Sequence, residues 1–154
     1  MGKYTAAAPD HLVLPARAHL TRGQEEARRL LGRPVPAPVP VRLLIDTGSR
    51  RSTLLPSVVT HLELEVVGTV RVETGVATVE TNSHWVRLEF PQTALAAVPA
   101  LVVARMPLPP SLHSFHGLIG RDLLRGWESL VYLGRRGQFS IRDTPGWGFG
   151  WLSR

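Results

Sequence analysis

The sequence contains no cysteine, so disulfide bonds, thiolate metal sites and a cysteine nucleophile are all excluded. Lysine is nearly absent too, because seventeen of the eighteen basic residues are arginine. The formal net charge is +6, but the arginines are scattered singly or in pairs, and aromatic residues are few. Nucleic-acid binding usually combines clustered cations with stacking aromatic side chains. The sequence therefore gives little support to a nucleic-acid partner.

Long apolar runs are also missing. The most apolar stretch, residues 94–104, is short and is interrupted by Pro99, so no membrane-spanning helix is predicted. Residues 1–10 lack the apolar region of a secretory signal, which predicts a cytoplasmic location. Only His113 and His116 lie close together among the histidines, and no acidic residue adjoins them. Neither a metal site nor a cofactor is predicted.

The length of 154 residues suits one domain, and the residue pattern divides the chain into three parts. Residues 1–34 are predicted to form an N-terminal extension. Its first twenty residues read as irregular or as an edge strand, and a short helix follows at the capping-box spacing of Thr21 and Gln24. Residues 35–143 are predicted to form the main domain, and residues 144–154 are a tail rich in Gly and Trp.

The predicted helix carries one apolar face, formed by Ala27, Leu30 and Leu31, and Gly32 is a natural stop after it. Prolines then alternate with small apolar residues over residues 34–40, which predicts a stiff extended segment, either a linker or an edge strand.

The main domain contains many short segments of β pattern and one or two short helices, one of them at residues 121–124. Thr74 and Gly75 are expected at the tip of a hairpin. This pattern predicts a mainly β fold in which the strands form a closed or partly open barrel. The predicted strands are residues 41–45, 66–73, 76–80, 86–90, 101–104, 117–120, 131–133 and 138–141.

The most informative segment is Leu43 to Ser49, in which Asp46 follows three apolar residues and precedes Thr47 and Gly48. Asp-Thr-Gly is good turn chemistry, so a purely structural aspartate is one interpretation. A carboxylate at the end of a buried strand, beside a glycine that lets another backbone approach, also suits acid–base catalysis.

That chemistry needs two carboxyl groups, one ionised and one protonated, sharing a proton. The chain has four aspartates, Asp10, Asp46, Asp122 and Asp143, and only Asp46 lies in such a loop. A second copy related by a two-fold axis would supply the missing group, since identical loops meet at such an axis.

Two segments resemble one known family. Residues 44–49 are similar to the active-site loop of retropepsin-like aspartic proteases, the single-domain retroviral type that also occurs in bacteria. Residues 117–124, Gly-Leu-Ile-Gly-Arg-Asp-Leu-Leu, resemble the second signature of that family, with a hairpin at the place of its flap between the two. The resemblance covers roughly residues 35–142. It implies an acid-protease barrel and a homodimeric endopeptidase that cuts peptides or proteins.

The resemblance also implies roles for individual residues. Asp46 of each subunit would activate the attacking water, Thr47 would bond across the dimer, and Gly48 would bond the main chain of the substrate. The other implied residues are Ser49 in the active-site loop, Thr74, Gly75 and Val76 in a mobile flap, and Gly120, Arg121 and Asp122 supporting the loop.

The sequence departs from the retroviral pattern after the loop glycine. Retroviral members often carry an acid two residues beyond it, where this chain has Arg50, followed by Arg51. One hypothesis is that Arg50 pairs with Asp122. A second is that Arg50 and Arg51 line the cleft and favour acidic substrate side chains. The flap also contains less glycine than in retroviral enzymes, which predicts a stiffer lid.

Two alternatives to a protease stay open. The same barrel would serve as a catalytically silent module that dimerises or holds a peptide, and the basic charge leaves a nucleic-acid-binding barrel as a third class. Residues 146–151 have two interpretations: a flexible tail, or a segment whose aromatic residues pack at the dimer interface. Trp85 and Trp127 are predicted to be core or half-buried packing residues.

Overall fold

The computed structural model describes residues 2–8 and 10–144, which form ten strands and three α-helices. The aromatic packing predicted for residues 146–151 lies outside these residues. No helix in the described part of the chain is long and apolar enough to cross a membrane. The helices are α1 (Arg22–Leu30), α2 (Pro56–His61) and α3 (Arg121–Leu124). The strands are β1 (Lys3–Ala7), β2 (Val13–His19), β3 (Val39–Ile45), β4 (Thr53–Leu54), β5 (Gly68–Glu73), β6 (Thr78–Glu89), β7 (Val98–Arg105), β8 (Gly117–Ile119), β9 (Trp127–Leu133) and β10 (Gln138–Asp143).

Six strands close into a barrel. The larger sheet has the order β2-β3-β8-β4-β7-β6-β5, and an additional pairing of β2 with β6 joins its two sides. Strand β5 pairs with the outer half of the long strand β6, so this hairpin projects from the barrel. The two separate strands predicted at residues 76–80 and 86–90 are therefore parts of one strand. The predicted mainly β barrel with a few short helices is confirmed.

Alternation of side chains explains why β3 lies in the barrel wall. Val41, Leu43 and Ile45 point into the core, whereas Arg42 is exposed. Strand β3 runs parallel to β8, with Ile45 opposite Ile119. Because the carboxyl ends of parallel strands meet at the same edge, the residues that follow β3 and β8 emerge side by side. The predicted core position of Trp127 is confirmed, and Trp85 is half-buried.

The prediction that the first twenty residues are irregular or an edge strand is wrong for β2. This strand pairs with β3 on one side and with β6 on the other, and it buries Leu14 completely. Pro15 lies on this strand, and its missing amide donor is tolerated because the pairing with β6 begins only at Arg17. The domain boundary at residue 35 stays a prediction, although the barrel takes one strand from before it.

Helix α1 begins at the predicted capping box. The Gln24 amide donates to the Thr21 hydroxyl, and the Thr21 amide donates to the Gln24 side-chain oxygen at 2.9 Å. Gly32 follows in the left-handed conformation, as expected of a helix stop. The predicted apolar face does not pack into the core, because Leu30 and Leu31 are 82% and 69% exposed.

A buried ionic cluster attaches α1 to the barrel instead. Arg87 on β6 has a side chain only 8% exposed, and its guanidinium lies 2.8 Å from the carboxylate of Glu25 on α1. The same guanidinium pairs with Glu89 and donates to the Leu20 carbonyl at 3.2 Å. The His19 ring lies 3.1 Å from Glu89. Burying these charges is tolerated because each has a partner.

His19 makes stability depend on pH. Burial lowers the pKa of its imidazole, and Arg87 lowers it further, against the opposing effect of Glu89 and Glu25. Below the ordinary histidine pKa of about 6.5 the unfolded chain binds a proton that the folded chain resists, so stability should fall as pH drops from 7 to 5.5. The contribution of His19 to the slope cannot exceed the roughly 1.4 kcal/mol per pH unit of one proton. Urea unfolding across this range measures it.

The matched variant for this prediction is His19→Gln. It should show a shallower dependence on pH over the same range, whatever its stability at pH 7. An equal slope in the two proteins would show that His19 is not the group responsible.

A second, three-stranded sheet has the order β1-β10-β9. The predicted hairpin near the C-terminus is confirmed, since β9 and β10 pair in antiparallel register around Gly137, which has a positive φ. Strand β1 completes this sheet, and Tyr4 packs edge-on against Phe139 at 5.9 Å. In the described residues β9 has a neighbour on one side only, so it is an edge strand.

Candidate active site

Asp46 stands where the chain leaves β3. Its amide donates to the Ile119 carbonyl at 2.9 Å, which extends the β3–β8 pairing by one residue. The carboxylate is half-buried and accepts a hydrogen bond from the Gly48 amide at 2.9 Å. The Ser49 amide donates to the Asp46 carbonyl at 3.2 Å. The loop therefore folds back on itself and holds the carboxylate at the end of the barrel.

Gly48 is close to the carboxylate that it binds. A Cβ at this position would lie 3.2 Å from Oδ1 of Asp46, which is tighter than an ordinary contact. Thr47 and Gly48 are both exposed. The Gly48 amide is used by Asp46, and each of the two carbonyls can accept a second hydrogen bond besides the one from Arg121.

The second motif, residues 117–124, donates hydrogen bonds to the loop that contains Asp46. Arg121 donates from one terminal nitrogen to the Thr47 carbonyl at 3.0 Å and to the Gly48 carbonyl at 3.1 Å. Its amide donates to the Ser49 carbonyl at 2.9 Å. The Gly120 amide donates to the Ser52 hydroxyl at 3.1 Å. The structure thus joins the two motifs that lie about seventy residues apart.

Asp122 binds neutral donors rather than Arg50. Its carboxylate accepts from the Ser52 amide at 2.8 Å, the Ser52 hydroxyl at 2.7 Å and the Leu123 amide at 2.8 Å. No ion pair between Arg50 and Asp122 occurs in the described residues. The hypothesis of that pair is therefore wrong, because Ser52 and the first turn of α3 already satisfy the carboxylate.

Ser52 is the residue that sequence reasoning missed. It is 2% exposed, and its hydroxyl bonds both Gly120 and Asp122, so it connects the active-site loop to the second motif. Nothing in the local sequence distinguishes this serine from an ordinary loop residue. Its importance comes only from the strands that bring it against α3.

The β5–β6 hairpin lies over the loop, and its turn is held by Thr74. The Thr74 amide donates to the Ala77 carbonyl at 2.8 Å, and its hydroxyl accepts from the Ala77 amide at 3.0 Å. Val76 at the tip is 96% exposed. The turn runs from Thr74 to Ala77, so its tip is Gly75 and Val76, one residue beyond the predicted Thr74–Gly75. The stiffness of this hairpin stays a prediction.

A cavity of about 410 Å³, here called the substrate cavity, separates the hairpin from the loop. Asp46, Gly48 and Ser49 line it from the loop, and Thr74 and Gly75 line it from the hairpin. Val76 is not among its lining residues. The rest of the wall is mostly apolar, as suits an apolar side chain of a ligand. These residues are Leu44, Thr53, Val72, Glu73, Met106, Pro107, Leu108, Pro109, Leu112 and Leu118.

The two neighbouring histidines have backbone partners. Nδ1 of His116 accepts from the Arg42 amide at 3.0 Å, and Nδ1 of His113 lies 3.2 Å from the Pro110 carbonyl. Within residues 2–8 and 10–144, no three His, Asp or Glu side chains are grouped as metal ligands would be.

A family model described as aspartyl protease matches residues 37–123, more than half of the chain. The chain belongs to the aspartyl protease family. The matched segment contains the Asp46 motif, the hairpin and all but the last residue of the second motif. No curated protein matches the chain.

Among solved structures, this family member is similar to a retropepsin-like aspartic protease from Rickettsia conorii. The TM-score is 0.52, the sequence identity is 10%, and the alignment covers 91% of this chain and 90% of the other. At this identity the likeness concerns the fold, which is retropepsin-like.

Proposed function

We propose that this family member is an aspartic endopeptidase, active as a homodimer in which each subunit contributes Asp46. The main observation behind the proposal is that Asp46 lines the substrate cavity, opposite residues of the β5–β6 hairpin. One carboxylate would accept a proton from water while the other, protonated, donates to the scissile carbonyl. An extended substrate would add to the site as a strand and donate to the exposed Gly48 carbonyl, which can accept a second hydrogen bond besides the one from Arg121.

Within the described part of the chain, no second acid is hydrogen-bonded to Asp46. The bonded partner of the Asp46 side chain is the Gly48 amide, and in the described residues no carboxylate pairs with it. Glu73 also lines the substrate cavity, but it belongs to the flap strand β5. A mobile lid is a poor support for a catalytic pair that must hold its geometry. The second acid is therefore assigned to another copy.

The edge strand β9 supports pairing of two copies. It exposes Val131, Tyr132 and Leu133 by 43%, 55% and 37%, and its free edge offers unpaired backbone groups. Two residues separate it from α3, whose Arg121 bonds the active-site loop. Antiparallel pairing of β9 with its copy about a two-fold axis would bury these side chains. It would also bring the two loops toward one axis.

Mixing wild-type protein with Asp46→Asn protein tests the shared site. Subunits that exchange at random form mixed dimers with one aspartate, so equal amounts should lower the activity per wild-type subunit to about half, and a ninefold excess to about a tenth. Peptide cleavage after equilibration measures this. An activity that stays proportional to the wild-type protein would show that one chain is sufficient.

Binding without cleavage would support the silent module instead. Wild-type protein that binds peptides and pairs with itself, yet cleaves none of a diverse library at any pH between 3 and 8, would contradict the endopeptidase proposal.

A further inference from the structure

A second cavity, of about 320 Å³, adjoins the substrate cavity and shares four of its lining residues. Every other residue that lines it is an arginine, so we name it the arginine cavity. The shared residues are Gly48, Ser49, Val72 and Glu73, and the arginines are Arg50, Arg51, Arg71 and Arg121.

These arginines come from three elements that are distant in sequence. Arg50 and Arg51 follow the active-site loop, Arg71 lies on β5, and Arg121 begins α3. These four arginines line one cavity, whereas the arginines elsewhere in the sequence are scattered singly or in pairs. Guanidinium groups held around one cavity repel each other, so a site of this composition favours an anion.

The internal partners of these cations are few. Arg121 uses one terminal nitrogen for the Thr47 and Gly48 carbonyls. Arg71 lies 3.8 Å from Glu80, and both side chains are largely exposed, so that pair contributes little. Arg50 and Arg51 form no ion pair with any described residue. Glu73 is the one acidic residue in the lining, against four arginines.

We propose that the arginine cavity binds an acidic side chain of the peptide substrate, close to the apolar side chain held beside Asp46. The inference rests on the proposed endopeptidase function and names its substrate class. Alternate side chains of an extended peptide project to the same face, so neighbouring cavities can take side chains of one strand. The planar guanidinium matches a carboxylate or a phosphate through two parallel hydrogen bonds.

The position of Arg71 adds a consequence for the flap. An anion held by Arg50 from the loop and by Arg71 from β5 would connect the lid to the barrel. Acidic peptides should therefore bind more tightly than neutral ones, and either arginine alone should account for only part of the preference.

Binding to the Asp46→Asn protein tests the inference without cleavage. Labelled peptides with an apolar residue at the centre carry Glu, Gln or phosphoserine at each flanking position in turn, and fluorescence anisotropy gives their dissociation constants. At the best position we expect Glu to bind about tenfold more tightly than Gln. The ratio of the affinity for the Glu peptide to that for the Gln peptide, here called the Glu-to-Gln ratio, should approach one in 1 M NaCl, because exposed charges are screened.

Variants then assign the preference to the cavity. Arg50→Gln and Arg71→Gln, each combined with Asp46→Asn, should reduce the Glu-to-Gln ratio several-fold. Arg22→Gln removes the same charge from the exposed start of α1, outside the cavity, and should leave the ratio unchanged. Urea unfolding of each variant checks that the fold is retained. The phosphoserine arm decides whether the preferred anion is a carboxylate or a phosphate.

Equal binding of Glu and Gln peptides at every position would overturn the inference, as would a ratio that both cavity variants leave intact. Cleavage by the wild type separates this inference from the proposed function. A binding preference without cleavage contradicts the endopeptidase alone, whereas cleavage without any acidic preference contradicts the arginine cavity alone.

Discussion

Replacing Asp46 by Asn is expected to lower kcat/KM for peptide cleavage by about 10⁴-fold, the upper end of what general acid–base catalysis contributes. The amide keeps the shape of the side chain and can still accept a bond from the Gly48 amide, so the loop should keep its conformation. It cannot take a proton from water at neutral or acidic pH. Cleavage of a fluorogenic peptide library between pH 3 and 7 measures the loss, with maximal wild-type activity expected at acidic pH.

Asp10→Asn is the matched control for this variant. It makes the same chemical change at an exposed position outside the substrate cavity, and its activity should equal that of the wild type. Thermal unfolding of both variants should resemble that of the wild type. Substantial activity in Asp46→Asn would contradict the mechanism, and an equal loss in Glu73→Gln would indicate a pair within one chain.

Replacing Gly120 by Ala is expected to damage both stability and activity. A Cβ at this position would lie 2.6 Å from the carbonyl carbon of Arg51 and 2.9 Å from its amide nitrogen, so backbone must shift. Overpacking of this kind costs about 1–3 kcal/mol. The displaced segment leads directly from the active-site loop, and a shift of about 1 Å near a reacting centre can cost 10²-fold in rate. Urea unfolding and kcat/KM measure the two effects.

Gly23→Ala is the control for the second variant. A Cβ there meets no heavy atom within 4 Å, and the position lies in α1, where Ala is favoured over Gly by up to about 1 kcal/mol. This variant should therefore be as stable as the wild type or slightly more so, with unchanged kcat/KM. Gly120→Ala protein with wild-type stability and activity would show that the second motif does not support the loop.

The proposed chemistry and the expected effect of His19 on stability oppose each other at acidic pH. The proposed reaction would be fastest where one carboxyl of the pair is protonated, whereas the buried His19 is expected to lower the stability of the fold as the pH falls below 7. Pairing of two copies, or a bound substrate, would offset that loss because either one stabilises the folded state. Activity and stability should therefore be measured at the same protein concentration.

Local patterns were sufficient for several features. Alternation of apolar and polar residues predicted β5 and the second half of β6, and the capping box placed the start of α1. Asp46 and Arg121 were each recognised within a motif of a few residues. Signals of this kind depend on neighbours in sequence, so the chain carries them whether or not it is folded.

Features that depend on partners far away in sequence were decided only by the tertiary structure. Strand β2 was missed as a barrel strand because its two partners, β3 and β6, lie far along the chain. Ser52 had no local signature, and its bonds to Gly120 and Asp122 cross about seventy residues. Arg71 joins Arg50 at one cavity only because the hairpin folds over the loop.

The sequence by itself determined the strand pattern and the acid that the chemistry requires. The folded structure decided which residues hold that acid in place and which arginines gather beside it. The physical reason is the separation in sequence of the interacting residues, because secondary structure and short motifs arise from neighbouring residues. Sheet closure, a buried hydroxyl shared by two motifs and the lining of a cavity arise from strand pairings between residues far apart in sequence.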